Sequence, residues 1–176
     1  MKPVELPHRI DGDGFVLRRL RADDAAAVTG AFRDDPALGG LLGFDEDPDE
    51  EWVSNRLGRT YELVIADPRT EAFLGMVLLH SFDDKNRHCE VAFWLIAGAR
   101  RHGLGTAVVT LMISWAMREL DVLRVELTTT PENAATQALA DRLGFTREGV
   151  LRQRNIERGR RVDVVWYGLL REEWLS

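Results

Sequence analysis

Three β-rich runs limit the fold most: Tyr61 to Ala66, Ala72 to His80 and His88 to Ile96, separated only by Asp67-Pro68-Arg69-Thr70 and Asp83-Asp84-Lys85-Asn86. Connections that short cannot carry a crossover, so the runs read as an antiparallel meander. The third run leads into Arg100-Arg101-His102-Gly103-Leu104-Gly105-Thr106, after which apolar residues at Val108, Leu111, Met112, Trp115, Ala116 and Leu120 recur at helical spacing. That pattern marks a long helix with one face in the core.

Other elements surround this frame. Phe15 to Leu20 reads as a first strand, and Arg21-Ala22-Asp23-Asp24 opens a helix to about Phe32, its aspartates suited to a helix start. Asp47-Pro48-Asp49-Glu50 signals a second helix start, with Asp47 as cap and Glu50 closing a capping box, ahead of Trp52, Leu57 and Tyr61. Gly39-Gly40 and an acidic stretch read as the loop between them. Val122 to Thr129 alternates like a strand. Thr130-Pro131-Glu132 caps a helix ending at Leu143-Gly144, and Phe145 to Ile156 and Val162 to Leu170 read as two strands joined near Glu157-Arg158-Gly159-Arg160. The order β, α, α, β, β, β, α, β, α, β, β gives an α/β (α+β) chain of about seven strands and four helices. With 176 residues, 45% of them apolar, one core is expected, hence a single domain over 1–176.

Composition excludes several classes. A net charge of -6 argues against general nucleic-acid affinity and against anionic membranes. Cys89 is the single cysteine, so an intrachain disulfide is impossible. The opening Met1-Lys2-Pro3-Val4-Glu5 has no apolar signal core and no run reaches membrane-span length, so a cytoplasmic protein is expected. His80, His88 and His102 lack metal-ligand spacing, and no metal is expected.

The segment Arg100 to Thr106 lies at a helix N-terminus, where unpaired N–H groups and the dipole favour an anion. Glycines admit close backbone approach, and Arg100, Arg101 and His102 surround the place such a group would take. Turn geometry alone is the other explanation for the glycines. A dinucleotide fold would require a third glycine at Val108 and a parallel sheet, whereas antiparallel-looking runs flank the motif; a P-loop would require Lys followed by Ser or Thr.

Arg100, Gly103 and Gly105 after a strand, with Glu90-Val91-Ala92-Phe93-Trp94-Leu95 before them and Pro131-Glu132-Asn133, Leu143-Gly144-Phe145 and Glu148-Gly149 after them, make the chain similar to the GNAT N-acetyltransferases over nearly its whole length. Leu17-Arg18 with Asp23-Asp24, and the aromatic-Trp-Leu strand, resemble the branch of ribosomal-protein alanine and serine acetyltransferases, RimJ and RimL. The resemblance implies the GNAT fold, a mostly antiparallel, splayed mixed sheet, and acetyl-CoA as co-substrate. It places the pyrophosphate on the Arg100 to Thr106 segment, the pantetheine arm along Phe93, Trp94 and Leu95, and Asn133 against that arm. It implies direct acetyl transfer to a primary amine, the acceptor being a protein N-terminal α-amine or a small amine. Polyamine or aminoglycoside acetylation, or a non-catalytic CoA-binding module, are the alternatives, and a homodimer is a further possibility.

For chemistry, Glu90 on the strand beside the acetyl group is the candidate base, with an ion-paired surface Glu as the plain reading. Thr136 stands where many members of the branch carry Ser, its hydroxyl either serving the cofactor or leaving thiolate, or bonding its own backbone. Two departures stand out: the family's frequent acidic Tyr falls at Ala140, and the branch's proposed Glu falls at Asn155, which could position an amine but not deprotonate it. Neutralising an α-amine at pH 7 costs about 1.4 kcal/mol against nearly 5 for a lysine-like amine, which favours an α-amine where no strong base is present. The acids Asp45 to Glu51 could attract a cationic amine or simply cap and solvate a helix. The cluster Arg152, Arg154, Arg158, Arg160 and Arg161 could hold an acidic partner or keep a strand edge soluble.

Overall fold

The computed structural model describes residues 7–42 and 44–174. Strands β1 (Arg9–Asp11), β2 (Val16–Arg19), β3 (Glu62–Ala66), β4 (Phe73–Asp83), β5 (His88–Leu95), β6 (Arg124–Thr129), β7 (Thr146–Glu157) and β8 (Arg160–Leu170) form one sheet in the order β1-β2-β3-β4-β5-β6-β8-β7. Neighbours are antiparallel except β5 and β6. The antiparallel look of the runs flanking the glycine segment is therefore corrected at this one pair. A parallel pair needs a crossover, and helix α4 (Leu104–Glu119) supplies it.

The remaining helices are α1 (Ala25–Asp34), α2 (Ala37–Leu41), α3 (Glu50–Ser54), α5 (Ala134–Arg142) and α6 (Arg171–Trp174). Strand β1 and helices α2 and α6 were not expected, and Gly39-Gly40 lies inside α2 rather than in a loop. Helix starts also shift: Asp49, not Asp47, accepts from Trp52 N–H at 2.7 Å, and Asn133, not Thr130, accepts from Thr136 N–H at 3.1 Å. In each case the better-placed carboxylate or amide sits directly before the first helical residue, where an N-cap must stand.

The sheet has a core on each face. Helix α4 packs on one, burying Val108, Val109, Met112, Ile113, Ala116 and Met117 against Val77, Val91, Val125 and Leu127. Full burial of each large side chain stabilises by about 1.5–3 kcal/mol. The opposite face carries Val16, Val64, Met76 and Trp94 beneath Val28, Phe32 and Val53 of α1 and α3. Near the start of this second layer, Arg18 and Asp24 form a two-bonded ion pair at 2.8 and 2.7 Å, exposed by only 4% and 6%. Asp24 also accepts from Arg21 N–H at 2.8 Å, so one carboxylate both neutralises a buried cation and caps the turn into α1.

Candidate active site in a strand gap

Pairing between β5 and β6 ends at Glu90↔Glu126, yet β5 runs on to Leu95 and β6 to Thr129. The two strands therefore separate, leaving a wedge whose walls carry backbone groups without the other strand as partner. Such edges must find hydrogen bonds elsewhere, and an extended, amide-bearing molecule could supply them. At the throat of the wedge, the Thr128 hydroxyl donates to Glu90 Oε1 and so bridges the strands. Register places His80 of β4 opposite Glu90, and strand alternation aims both to the face away from α4.

A cavity of about 180 Å³ occupies this wedge, lined among others by His80, Glu90, Phe93, Thr128, Asn133 and Thr136, with Leu41 and Leu42 at the end of α2 closing the far side. Glu90, Phe93, Asn133 and Thr136 are thus brought together as the sequence suggested. Asn133 uses its side-chain oxygen as a helix cap. The Thr136 hydroxyl makes no hydrogen bond among the described residues, which leaves it available toward the cavity. His80, Thr128, Leu41 and Leu42 escaped sequence reasoning. The signal for His80 is the short antiparallel turn between the second and third runs, which sets His80 opposite Glu90.

The cavity does not include Asn155, Ala140, Trp94 or Leu95. Asn155 stands on β7, paired in register with Val162 of β8 and two residues before Glu157. Ala140 is wholly buried in the core beneath α4. Trp94 points into the second core layer, edge-on to Phe32 at a centroid distance of 5.2 Å. Cys89 is buried, and loss of solvation, with Glu126 and Glu90 nearby, pushes its thiol up to about 12. A thiol held that high stays protonated at neutral pH and is no nucleophile.

At the other end of β5, the glycine segment opens α4. Gly103 is the residue before the helix, with φ of 79°, a conformation glycine takes without Cβ strain, and open space lies where a side chain would stand. Arg101 also has positive φ, 68°, and with His102 is exposed. Gly105 has a different reason: a Cβ there would come within 2.9 Å of the Phe93 ring, which would have to shift to admit it.

The first helix-closing bond, Ala107 N–H to Gly103 C=O at 3.1 Å, leaves the N–H groups ahead of it aimed out of the helix. Arg100 does not aim at that end alone. Its Nε donates to Leu95 C=O at 2.9 Å and its guanidinium pairs with Asp35 at 2.6 Å, while its second terminal nitrogen is buried without a partner. Besides Arg101, Arg142 stands at the helix start, coming from the last turn of α5 and donating to Thr106 Oγ1 at 3.2 Å. Sequence reasoning missed Arg142, because only the fold brings the end of α5 beside the start of α4.

The acidic and basic clusters meet each other. Arg158, in the turn between β7 and β8, bonds Asp47 at 2.5 Å through its guanidinium and Asp45 at 2.9 Å through its N–H. Among the described residues no group of three or more His, Cys, Asp or Glu could hold a metal ion, and no helix is long and apolar enough to cross a membrane.

Comparison with known proteins agrees with this geometry. The model of the Acetyltransferase (GNAT) domain family matches residues 15–146. A curated relative, "Putative ribosomal N-acetyltransferase YdaF" of Bacillus subtilis, is 34% identical over 100 residues, covering 57% of this chain and 55% of that protein, so the match spans about half of the relative's length. A probable acetyltransferase (GNAT family) from Chromobacterium violaceum superposes with a TM-score of 0.85 at 26% identity, covering 98% of this chain and 91% of that one. The ribosomal-protein-S5-alanine acetyltransferase of Vibrio fischeri shares the fold with a TM-score of 0.80 at 16% identity, over 94% and 98% of the two chains. With its split sheet, its glycine-led helix and a family match across three quarters of its length, this chain belongs to the GNAT family of N-acetyltransferases.

Proposed function

We propose that the protein transfers an acetyl group from acetyl-CoA to a primary amine by direct attack, the acceptor being a protein N-terminal α-amine or a small amine. The observation that carries this reading is the wedge beyond Glu90↔Glu126, which runs from a carboxylate at its throat toward the N-terminus of a 16-residue helix. The residues present suit the co-substrate: the free strand edges of the wedge match an amide-bearing arm, and the helix start beside Gly103 and Arg142 matches its phosphates. Arg101 and His102 stand at the same exposed end. Arg100 contributes by tying the end of β5 to Asp35 of the segment after α1.

Bound acetyl-CoA would supply the activated thioester carbonyl. The acceptor nitrogen forms its bond to that carbon as the carbon–sulfur bond breaks. Glu90, directly or through one water, takes the proton the amine loses, and Thr128 holds the carboxylate toward the gap. The Thr136 hydroxyl gives a proton to the departing thiolate and regains one from solvent. Backbone N–H groups along 91–95 polarise the carbonyl oxygen.

The test is calorimetric titration with acetyl-CoA followed by thiol release with N-terminal peptides, spermidine and aminoglycosides. Binding with release to at least one acceptor, and a fall in kcat of about a hundredfold in Glu90→Gln, is expected for a general base. No binding, or no release with any acceptor, overturns the proposal.

A further inference from the structure

A second cavity, about 530 Å³, borders the first along two segments: Gly40 precedes the Leu41 and Leu42 of one wall, and Pro131-Glu132 precedes the Asn133 of the other. Its remaining wall is the end of the β7–β8 hairpin, including Glu157, Arg160 and Arg161. This wall is built to hold its shape. The hairpin turns through Arg158 and Gly159, both with positive φ as a tight two-residue turn requires, and Arg158 anchors the tip to Asp45 and Asp47. Farther back, register breaks between Leu151 and Asn155, where Gln153 takes φ of 51°. That bulge is fastened by Asp163 accepting from Gln153 N–H at 2.7 Å and by Arg161 donating to Gln153 C=O at 3.1 Å. Bulges re-aim the side chains that follow them.

Glu157 is what this arrangement presents. It is half-buried, it stands two residues beyond Asn155 on the same strand, and among the described residues it has no cationic partner. Of the arginines lining the cavity, Arg158 pairs with Asp47 and Arg161 donates to the Gln153 carbonyl, while Arg160, opposite Glu157 in the hairpin register, forms no ion pair with it among the described residues. Burial, with Asp45 and Glu132 nearby, raises its pKa, as expected of a carboxylate lacking a counter-charge.

Resting on the acetyltransferase reading, we propose that Glu157, beside Asn155, is the entry site that binds the ammonium of the incoming acceptor in the second cavity before the amine passes to Glu90 in the first, and selects an acceptor carrying a single cation, such as a peptide N-terminus. Selection against polycations follows from the same wall. An extended polyamine entering this cavity would bring further ammonium groups beside Arg158, Arg160 and Arg161, where like charges repel. A peptide places uncharged carbonyl oxygens there instead, which accept hydrogen bonds from guanidinium groups.

The experiment measures binding to the protein saturated with CoA, at pH 7, of the peptide amide Ala-Gly-Ser-Gly-Trp, its N-acetylated form and spermidine. The free peptide should bind more tightly than the other two. Glu157→Gln should weaken the free peptide about tenfold to a hundredfold, the range for losing a charged hydrogen bond, while leaving acetyl-CoA affinity unchanged as proof of folding. Asn155→Ala should weaken the free peptide by less and leave the acetylated form unaffected. Equal binding by Glu157→Gln, equal binding of free and acetylated peptide, or tighter binding of spermidine overturns the inference. Glu157-dependent peptide binding without thiol release from acetyl-CoA would instead overturn the transfer chemistry and leave the binding assignment standing.

Discussion

Arg158 reaches across 111 residues of chain to place its guanidinium 2.5 Å from Asp47, joining the β7–β8 turn to the segment between α2 and α3. Both side chains are about half exposed, 42% and 47%, so the pair is screened by water. Its contribution to global stability should be small, about 0–1 kcal/mol. Its local effect should be larger, because the same residue's N–H is held by Asp45. We expect Arg158→Ala to move the urea midpoint little while hydrogen exchange at the hairpin tip quickens and acceptor KM rises. A loss of several kcal/mol on unfolding would show that the contact is a core feature instead.

The Arg18–Asp24 pair should behave in the opposite way. Both partners are almost fully enclosed, and Asp24→Asn leaves the Arg18 guanidinium without its principal counter-charge. Removing one member of a buried pair costs about 3–5 kcal/mol, read directly from urea unfolding. Replacing both, with Arg18→Met and Asp24→Leu together, should cost much less, because no charge is then stranded. Similar losses for the single and double variants would contradict this account.

How far the sequence disclosed all this depended on the range of the causes. The meander, the main helix and the glycine segment follow from local periodicity and turn residues, which a short window contains. Gly39-Gly40 predicts a loop, because glycine disfavours helix locally, yet the pair lies inside helix α2. A Cβ on Gly39 would collide with the Arg158 guanidinium at 2.2 Å and with Asp47 at 2.6 Å, so that glycine answers to a hairpin more than a hundred residues away. The resemblance brings in Asn155 as the position of the branch's proposed Glu; the bulge at Gln153 interrupts the register before it, and the first cavity does not reach it. Arg142 was invisible for the same kind of reason, being placed by the packing of two helices rather than by its neighbours in the chain.

Arg142 and Arg100 should separate cleanly in experiment. Arg142 is exposed and stands beside Thr106 at the start of α4, whereas Arg100 is bonded to Leu95 C=O and Asp35. Arg142→Gln should weaken acetyl-CoA about tenfold or more, the loss of one charge-assisted phosphate contact, with little change in melting temperature. Arg100→Gln should lower melting temperature, since it removes the brace between β5 and the end of α1. Calorimetric titration and thermal unfolding on both variants provide the check, and an unchanged affinity in Arg142→Gln would remove that residue from the phosphate site.

Acid and neutral pH should affect two sets of carboxylates in opposite directions. Hydrogen bonds, from Arg9 to Glu71, from Arg171 to Asp121 and from Arg124 to Glu148, hold those carboxyls below their ordinary range. Their stabilisation is complete above the unfolded values, about 3.9 to 4.3, and is lost as pH falls through the lower folded values. Glu157 has the reverse sign, because burial raises its folded pKa. Its relative stabilisation is present below the unfolded value of about 4.3 and is lost as pH rises through the folded one, so the ionised group is a cost at pH 7. Glu157→Gln should therefore unfold at higher urea than the parent at pH 7, with the difference vanishing near pH 3. Glu148→Gln should do the reverse at pH 7, unfolding slightly earlier because Arg124 loses its ionised partner. A Glu157→Gln variant less stable than the parent at pH 7 would mean that the native carboxylate is satisfied within the fold rather than held ready for a cation.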